Sequence, residues 1–232
     1  MSQLLKRIVS SAILIAITIL AIFIRWLFGL VAILLIIRGL YEFFTMVEKK
    51  GINIYKYFGT VLGIIIPLSV FFKFELTKGW ELLFIVLALI SIFMLQFTRR
   101  ENSGAIAGIS TTIFGILYIS WFFSFIIKLR DLHNGPFLVA ALIFITKAND
   151  IGAYLIGTKW GRHALIPRIS PHKSVEGTLG GFIFSVLAAI AVKPWLSFSC
   201  LHVVAIGGFL GVLAQLGDLS ESLLKRDCQV KD

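Results

Sequence analysis

The sequence predicts an all-α, polytopic integral membrane protein of about eight transmembrane helices, with its N-terminus on the cytoplasmic side. Three observations carry that prediction. Of 232 residues, 58% are hydrophobic and only 15% charged, against about 45–50% and about 25% in soluble domains. The apolar residues fall into runs of membrane-spanning length rather than into amphipathic stripes. The Lys and Arg residues collect in alternate connections between those runs, as expected of cytoplasmic loops.

Eight runs qualify. Ile8–Ile24 follows Lys6 and Arg7; it lacks a small-residue cleavage site and reads as a retained helix rather than a signal peptide. Trp26–Val47 comes almost at once, so the connection at Arg25 implies an antiparallel helix pair, and Arg38 and Glu42 stand at i,i+4 within it. The third run, about Tyr57–Phe72, contains Pro67, an expected kink. Trp80–Phe97 is closed by Arg99, Arg100 and Glu101. Gly104–Ile127 opens with small residues that permit close helix approach. Pro136–Gly157 carries Lys147 and Asp150 inside it. The longest polar stretch, residues 158–177, precedes Thr178–Val192, and Leu201–Leu216 is the last run.

With the N-terminus inside, the loop Lys and Arg divide fourteen inside to six outside, and Arg38 and Lys147 fall within spans. Residues 158–177 and 215–232 then share the cytoplasmic side. The natural division is into N-terminal helices over residues 1–135 and a second group over 136–232 that carries both polar stretches. The net charge of +10 fits a surface beside anionic lipid. Nucleic acid is excluded as a partner, since no basic block is interleaved with aromatics. Cys200 and Cys228 have no metal-ligand spacing, and the four His form no HxxxH or HExxH pattern.

Three stretches hold the chemistry-bearing residues. In Lys147-Ala-Asn-Asp-Ile-Gly-Ala-Tyr154, ionisable groups sit inside a span, where they are costly. They serve either a function or a packing ion pair. Pro167-Arg-Ile-Ser-Pro-His-Lys-Ser-Val-Glu-Gly177 offers cations, hydroxyls and glycines leading into a helix, a general anion site, though a basic loop at lipid headgroups has the same composition. In Gln215–Asp232, Asp218, Ser222, Lys225 and Gln229 would fall within about 60° on one helix face, a carboxylate for a divalent cation and an ammonium for phosphate oxygens. A solvated helix tail with ion pairs at i,i+3 and i,i+4 is the plainer reading of that stretch.

Ser222-Leu-Leu-Lys-Arg-Asp-Cys-Gln-Val-Lys-Asp232 resembles the first half of the signature of the phosphatidate cytidylyltransferase (CDP-diacylglycerol synthase) family, S-x-[apolar]-K-R-x4-K-D. Gln215-Leu-Gly-Asp-Leu-Ser-Glu221, Asp150-Ile-Gly-Ala-Tyr154 and Ser170-Pro-His-Lys-Ser-Val-Glu-Gly177 are similar to further parts of that family. In the family the signature continues into an H-G-G segment and a D-R-x-D, whereas this sequence stops at Asp232, as a fragment or a shortened member would. Lys147 is a smaller departure, because relatives usually carry an uncharged residue near there.

The resemblance implies a multi-pass enzyme of the inner (cytoplasmic) membrane with its active face toward the cytoplasm. It implies CTP and phosphatidate as substrates, Mg²⁺ as cofactor, and CDP-diacylglycerol and diphosphate as products. By motif position, Asp218 and Lys225 are the expected catalytic residues, and Asp218 and Glu221 the expected metal ligands. Asp150, Ser170, Lys173, Glu176, Ser222 and Arg226 are the expected substrate-binding residues. Membrane lipids are the expected surroundings, and a homo-oligomer is compatible with the sequence. Competing readings are a CTP-using lipid kinase of the polyprenol type, a transporter lined by Arg38, Glu42, Lys147 and Asp150, and an inactive shortened member serving as a scaffold.

Overall fold

A computed structural model describes residues 3–74, 79–100 and 102–230. The last two residues of the C-terminal motif, Lys231 and Asp232, therefore lie outside the described residues, as do residues 75–78 and Glu101. Every long element is helical. The helices are α1 (Gln3–Phe23), α2 (Arg25–Lys49), α3 (Lys56–Phe72), α4 (Trp80–Phe97), α5 (Ala105–Gly115), α6 (Phe122–Arg130), α7 (Gly135–Trp160), α8 (Val175–Val192) and α9 (Cys200–Asp227). Six helical segments are long and apolar enough to cross a membrane, and α3 and the Val9–Phe23 part of α1 are shorter apolar helices. The chain is an all-α multi-pass membrane protein, and each of the eight apolar runs is a helix. It forms two compact units, Met1–His133 and Asn134–Asp232.

In the first unit, aromatic and aliphatic side chains of α2 make the centre: Ile36, Leu40 and Phe44 are at most 1% exposed. A single residue, Ile24, separates α1 from α2. The helix α3 runs through Pro67 without interruption. A π-helical turn, Ile116–Trp121, joins α5 to α6, so the fifth apolar run is one helix with a locally widened ladder. Nothing in the apolar pattern marks that turn.

Gly108 of α5 lies directly under the α2–α3 connection. A Cβ there would stand 2.4 Å from the Asn53 carbonyl oxygen, backbone that cannot swing aside as a side chain could. Gly108→Ala is expected to lose about 1–3 kcal/mol through overpacking. The check is thermal unfolding in detergent, where an unchanged midpoint would show that the α2–α3 loop gives way freely.

At the other end of this unit an ionic clasp ties three segments. The Arg25 guanidinium donates from Nε and Nη2 to the two Asp131 carboxylate oxygens at 3.2 and 3.1 Å, and from Nη2 to the Phe71 carbonyl at 2.8 Å. Lys73 Nζ is 3.4 Å from Asp131 Oδ2. Partial burial works against the Asp131 charge, but the hydrogen bonds and positive charge of Arg25, with Lys73, hold its carboxyl below the usual carboxylate value. A depressed folded pKa gives stability that is full above the unfolded value of about 3.9 and is lost as pH falls through the folded value. Asp131→Asn should therefore lose about 1–3 kcal/mol at neutral pH. Its melting temperature should also change less than the parent's between pH 5 and pH 2.

In the second unit, α7, α8 and α9 pack together around Ala141, Ile145, Ala188, Ala189, Val192 and Val203. Glycines bring the helices close at the polar end. A Cβ on Gly177 would meet the Ala153 carbonyl oxygen at 2.9 Å, and one on Gly181 would stand 2.9–3.0 Å from Gln215 and Asn149. The polar stretch 158–177 is not wholly loop. It holds an antiparallel hairpin, β1 (Ala164–Ile166) and β2 (Ser170–Ser174), paired Ala164 with Ser174 and Ile166 with Ser170. The Ile169 N–H donates to the Ile166 carbonyl at 3.0 Å, closing a four-residue turn with Pro167 second, where its fixed φ suits the turn. These strands are too short to show a period of two.

The helix α9 continues from the apolar run into the charged motif and ends before Gln229. The Val230 N–H donates to the Lys225 carbonyl and the Gln229 N–H to the Arg226 carbonyl, both at 3.0 Å, and Gln229 has φ 55°. This is a Schellman closure with Gln229 at its left-handed position. Gln229 thus does not share a helix face with Asp218, Ser222 and Lys225, contrary to the even 100° spacing assumed from sequence.

Candidate functional site

The polar end of the second unit encloses a cavity of about 540 Å³. Its walls come from α7, β2, the head of α8 and α9, and three of its lining side chains are charged at neutral pH: Asp150, Lys173 and Asp218. Each wall has a local cause. Ser174 caps α8, its hydroxyl accepting the Gly177 N–H at 3.1 Å, and this sets where β2 ends and α8 begins. Lys173 immediately precedes that cap, so the hairpin delivers its ammonium beside α9. Gln215 of α9 donates to the Thr178 carbonyl at 2.8 Å, and Asn149 of α7 donates to the Gly211 carbonyl at 3.2 Å. These two amides fasten the three helices around the cavity.

Lys173 Nζ lies 2.5 Å from Asp218 Oδ2. The ammonium is enclosed and rests against that carboxylate as a close ion pair. Asp150 is held differently, by Lys147 Nζ at 3.0 Å on its own helix. Each carboxylate of the cavity thus rests against one lysine.

The remaining expected site residues lie elsewhere. Ser170 begins β2 and is half-buried. Glu176 faces the start of the hairpin: it accepts from the Arg162 and His163 backbone N–H groups at 3.1 and 3.2 Å, and its Oε1 is 2.6 Å from His163 Nδ1. Its evident work is to pin the hairpin to the head of α8. Glu221 pairs with Lys225 at 3.0 Å along α9. Ser222 is half-buried one turn beyond Asp218, and Arg226 is exposed. Glu176, Glu221, Ser222, Lys225 and Arg226 do not line the cavity.

Sequence reasoning did not single out Asn149, Thr158, His172, Thr178 or Gln215 as site residues, all of which line the cavity. Asn149 had a usable signal, an amide in the middle of an apolar span. The Ser174 hydroxyl, part of the expected anion site, lines the cavity too.

Among the described residues no group of three His, Cys, Asp or Glu comes together to enclose a metal ion. The donors present fit a cation that takes one or two carboxylates and leaves its other positions to water and phosphate oxygens, which is the habit of Mg²⁺. Asp218 and Asp150 are the carboxylates in place for it. Glu221 is 62% exposed and paired with Lys225. In chemical terms the cavity offers oxygen donors for a hard cation and a lysine for phosphate, within a membrane-embedded helix bundle.

A profile of the cytidylyltransferase family matches residues 5–232. A phosphatidate cytidylyltransferase of Synechocystis sp. is 33% identical over 98% of this chain and 86% of its own length. One of Thermotoga maritima is 31% identical over 89% of this chain and 76% of its own. An Escherichia coli protein with no described function, YnbB, is 33% identical over 52% of this chain. The matched part spans 40% of that E. coli protein, less than half its length.

Proposed function

Because this chain belongs to the cytidylyltransferase family, we propose that it transfers the cytidylyl group of CTP to phosphatidate, making CDP-diacylglycerol and diphosphate for phospholipid synthesis. The observation that carries this reading is the cavity in which Lys173 and two carboxylates, Asp150 and Asp218, converge at the polar end of a membrane bundle. A water-borne nucleotide and a lipid phosphate must meet at such a boundary.

The reaction joins a phosphatidate oxygen to the α-phosphorus of CTP and breaks the bond between that phosphorus and the bridging oxygen to the β-phosphate. The electron pair leaves with diphosphate. The attacking phosphate is already an anion, so no general base is assigned. Such transfers depend on positioning and on neutralising phosphate charge. Lys173 meets phosphate oxygens when an entering phosphate displaces its contact with Asp218. Asn149 and Gln215 hold the walls at fixed spacing. A bound Mg²⁺ supplies further charge neutralisation to the phosphates, and Asp218 and Asp150 would hold it. Lys225, Arg226 and Ser222, further along α9 and outside the cavity, would meet phosphate oxygens by motif position alone.

The same reading takes the cell membrane as the site of action and the cytoplasm as the side on which the cavity opens. It is supported by the excess of Lys and Arg in the loops on that side. The test is incorporation of radiolabelled CTP into chloroform-soluble lipid, with phosphatidate and Mg²⁺ supplied. CDP-lipid and diphosphate in equal amounts are expected. Formation of CDP with a phosphorylated lipid would replace this reading with a lipid kinase. Absence of any nucleotide-dependent product would overturn this reading and leave the transporter and the scaffold.

A further inference from the structure

Four polar side chains stand in file on α7: Thr158, Tyr154, Asp150 and Lys147. Their spacing of three to four residues places them within about 80° on one helix face. The first three line the cavity, and Lys147 extends the file one turn further into the apolar span. It is the thirteenth of the 26 residues of α7, so it is central in the helix. An ammonium at such a position costs about 2.5–3.5 kcal/mol on the insertion scale. A counter-ion role for Asp150 accounts for only one of its three N–H donors. Among the described residues Asp150 is its sole hydrogen-bond partner, and the Lys147 side chain is 71% exposed. Its neighbours on this flank, Phe144 and Ile151, are exposed large apolar residues, 51% and 55%, as a lipid-facing surface requires.

We propose that Lys147 is a positioning residue for the membrane-borne substrate, taking a phosphate monoester that reaches the cavity from the bilayer side. The inference rests on the reaction proposed above. Lys173 of the cavity and Lys147 beside it then divide the substrates. Lys173, on the hairpin, meets the nucleotide that comes from water, and Lys147, on the lipid-facing flank, meets the lipid phosphate. The ion pair with Asp150 is the resting arrangement. The four-carbon stem lets the ammonium climb about one helical turn, so it can pass from the carboxylate to a phosphate without any backbone movement.

The test is equilibrium binding of dioctanoyl phosphatidate, of CTP and of inorganic phosphate to the detergent-solubilised protein, with no turnover. Lys147→Gln is expected to weaken dioctanoyl phosphatidate about tenfold and to leave CTP unchanged, and Lys147→Arg should restore most of the loss. Inorganic phosphate competing as well as the lipid would show that the site takes free phosphate and overturn the lipid assignment. Equal affinity for phosphatidate in Lys147→Gln and the parent would overturn the proposal, as would an equal loss for CTP. Should Lys147→Gln fail to fold, Asp150→Asn provides the comparison, because it frees the lysine. Phosphatidate should bind that variant at least as well as the parent, and adding Lys147→Gln to it should lower binding about tenfold. A double variant that binds like Asp150→Asn alone refutes the role. Synthesis of CDP-lipid with Lys147-independent binding sinks only this inference. Lys147-dependent binding without synthesis sinks only the reaction.

Discussion

Asp218→Asn should reduce CDP-lipid synthesis about 10²–10³-fold in kcat, the range seen when one electrostatic contact to a reacting phosphoryl or acyl group is removed. The substitution keeps size and shape but removes a full charge. Asp218 Oδ2 is the partner of the Lys173 ammonium, so two consequences combine: a hard cation loses a carboxylate, and an enclosed ammonium loses its counter-charge. The Asp218 side chain is 58% exposed, but leaving the enclosed Lys173 ammonium without its counter-charge should lower the midpoint. The discriminating measurement is kcat of the folded protein together with the thermal midpoint. A fall in kcat well beyond what the lost stability accounts for is expected. A variant within threefold of the parent would remove Asp218 from the reaction.

Lys173→Gln should raise KM for CTP and lower kcat/KM roughly 10–150-fold, the equivalent of about 1.5–3 kcal/mol for a charge-assisted hydrogen bond. The argument is geometric. Lys173 lines the cavity with its ammonium beside Asp218, so it offers positive charge to an anion that enters there and displaces that contact. Glutamine retains a donor but loses the charge. The phosphatidate KM should move less than the CTP KM, and equal changes in both would mean that Lys173 only holds Asp218 in place.

The two predictions concern residues that the sequence did mark. Asp218 and Lys173 were marked by their positions in stretches that resemble the family's motifs, and Asp150 also because it lies inside an apolar run. The apolar runs themselves were legible by composition. A membrane span is defined by composition over about 20 residues, a signal that survives without any knowledge of neighbours. What was not legible depends on contacts between distant residues. Glu176 was marked by motif position alone; its pairing with His163, thirteen residues earlier, was not legible, because it spans a hairpin too short to show alternation. Gln215 and Asn149 are single amides in apolar helices, and their role appears only when Gly181 and Gly211 let three helices meet. The π turn at Ile116–Trp121 leaves the apolar pattern unbroken, so hydropathy cannot detect it. Gln229 was misplaced because a helix face was extended past the residue where the backbone turns left-handed.

The uninterrupted course of α9 has a consequence for the setting in which the protein works. The Cys200–Leu216 part of the helix is about 25 Å long at 1.5 Å per residue, a few ångströms short of a hydrocarbon core of about 30 Å. Asp218 follows two residues later on the same rigid rod. A bilayer matched to so short a span thins around this helix, at a fraction of a kcal/mol for each ångström of mismatch. On the reaction proposed above, CTP turnover in vesicles should therefore fall as the acyl chains of the host lipid are lengthened, because a thicker core covers more of the polar end of the helix.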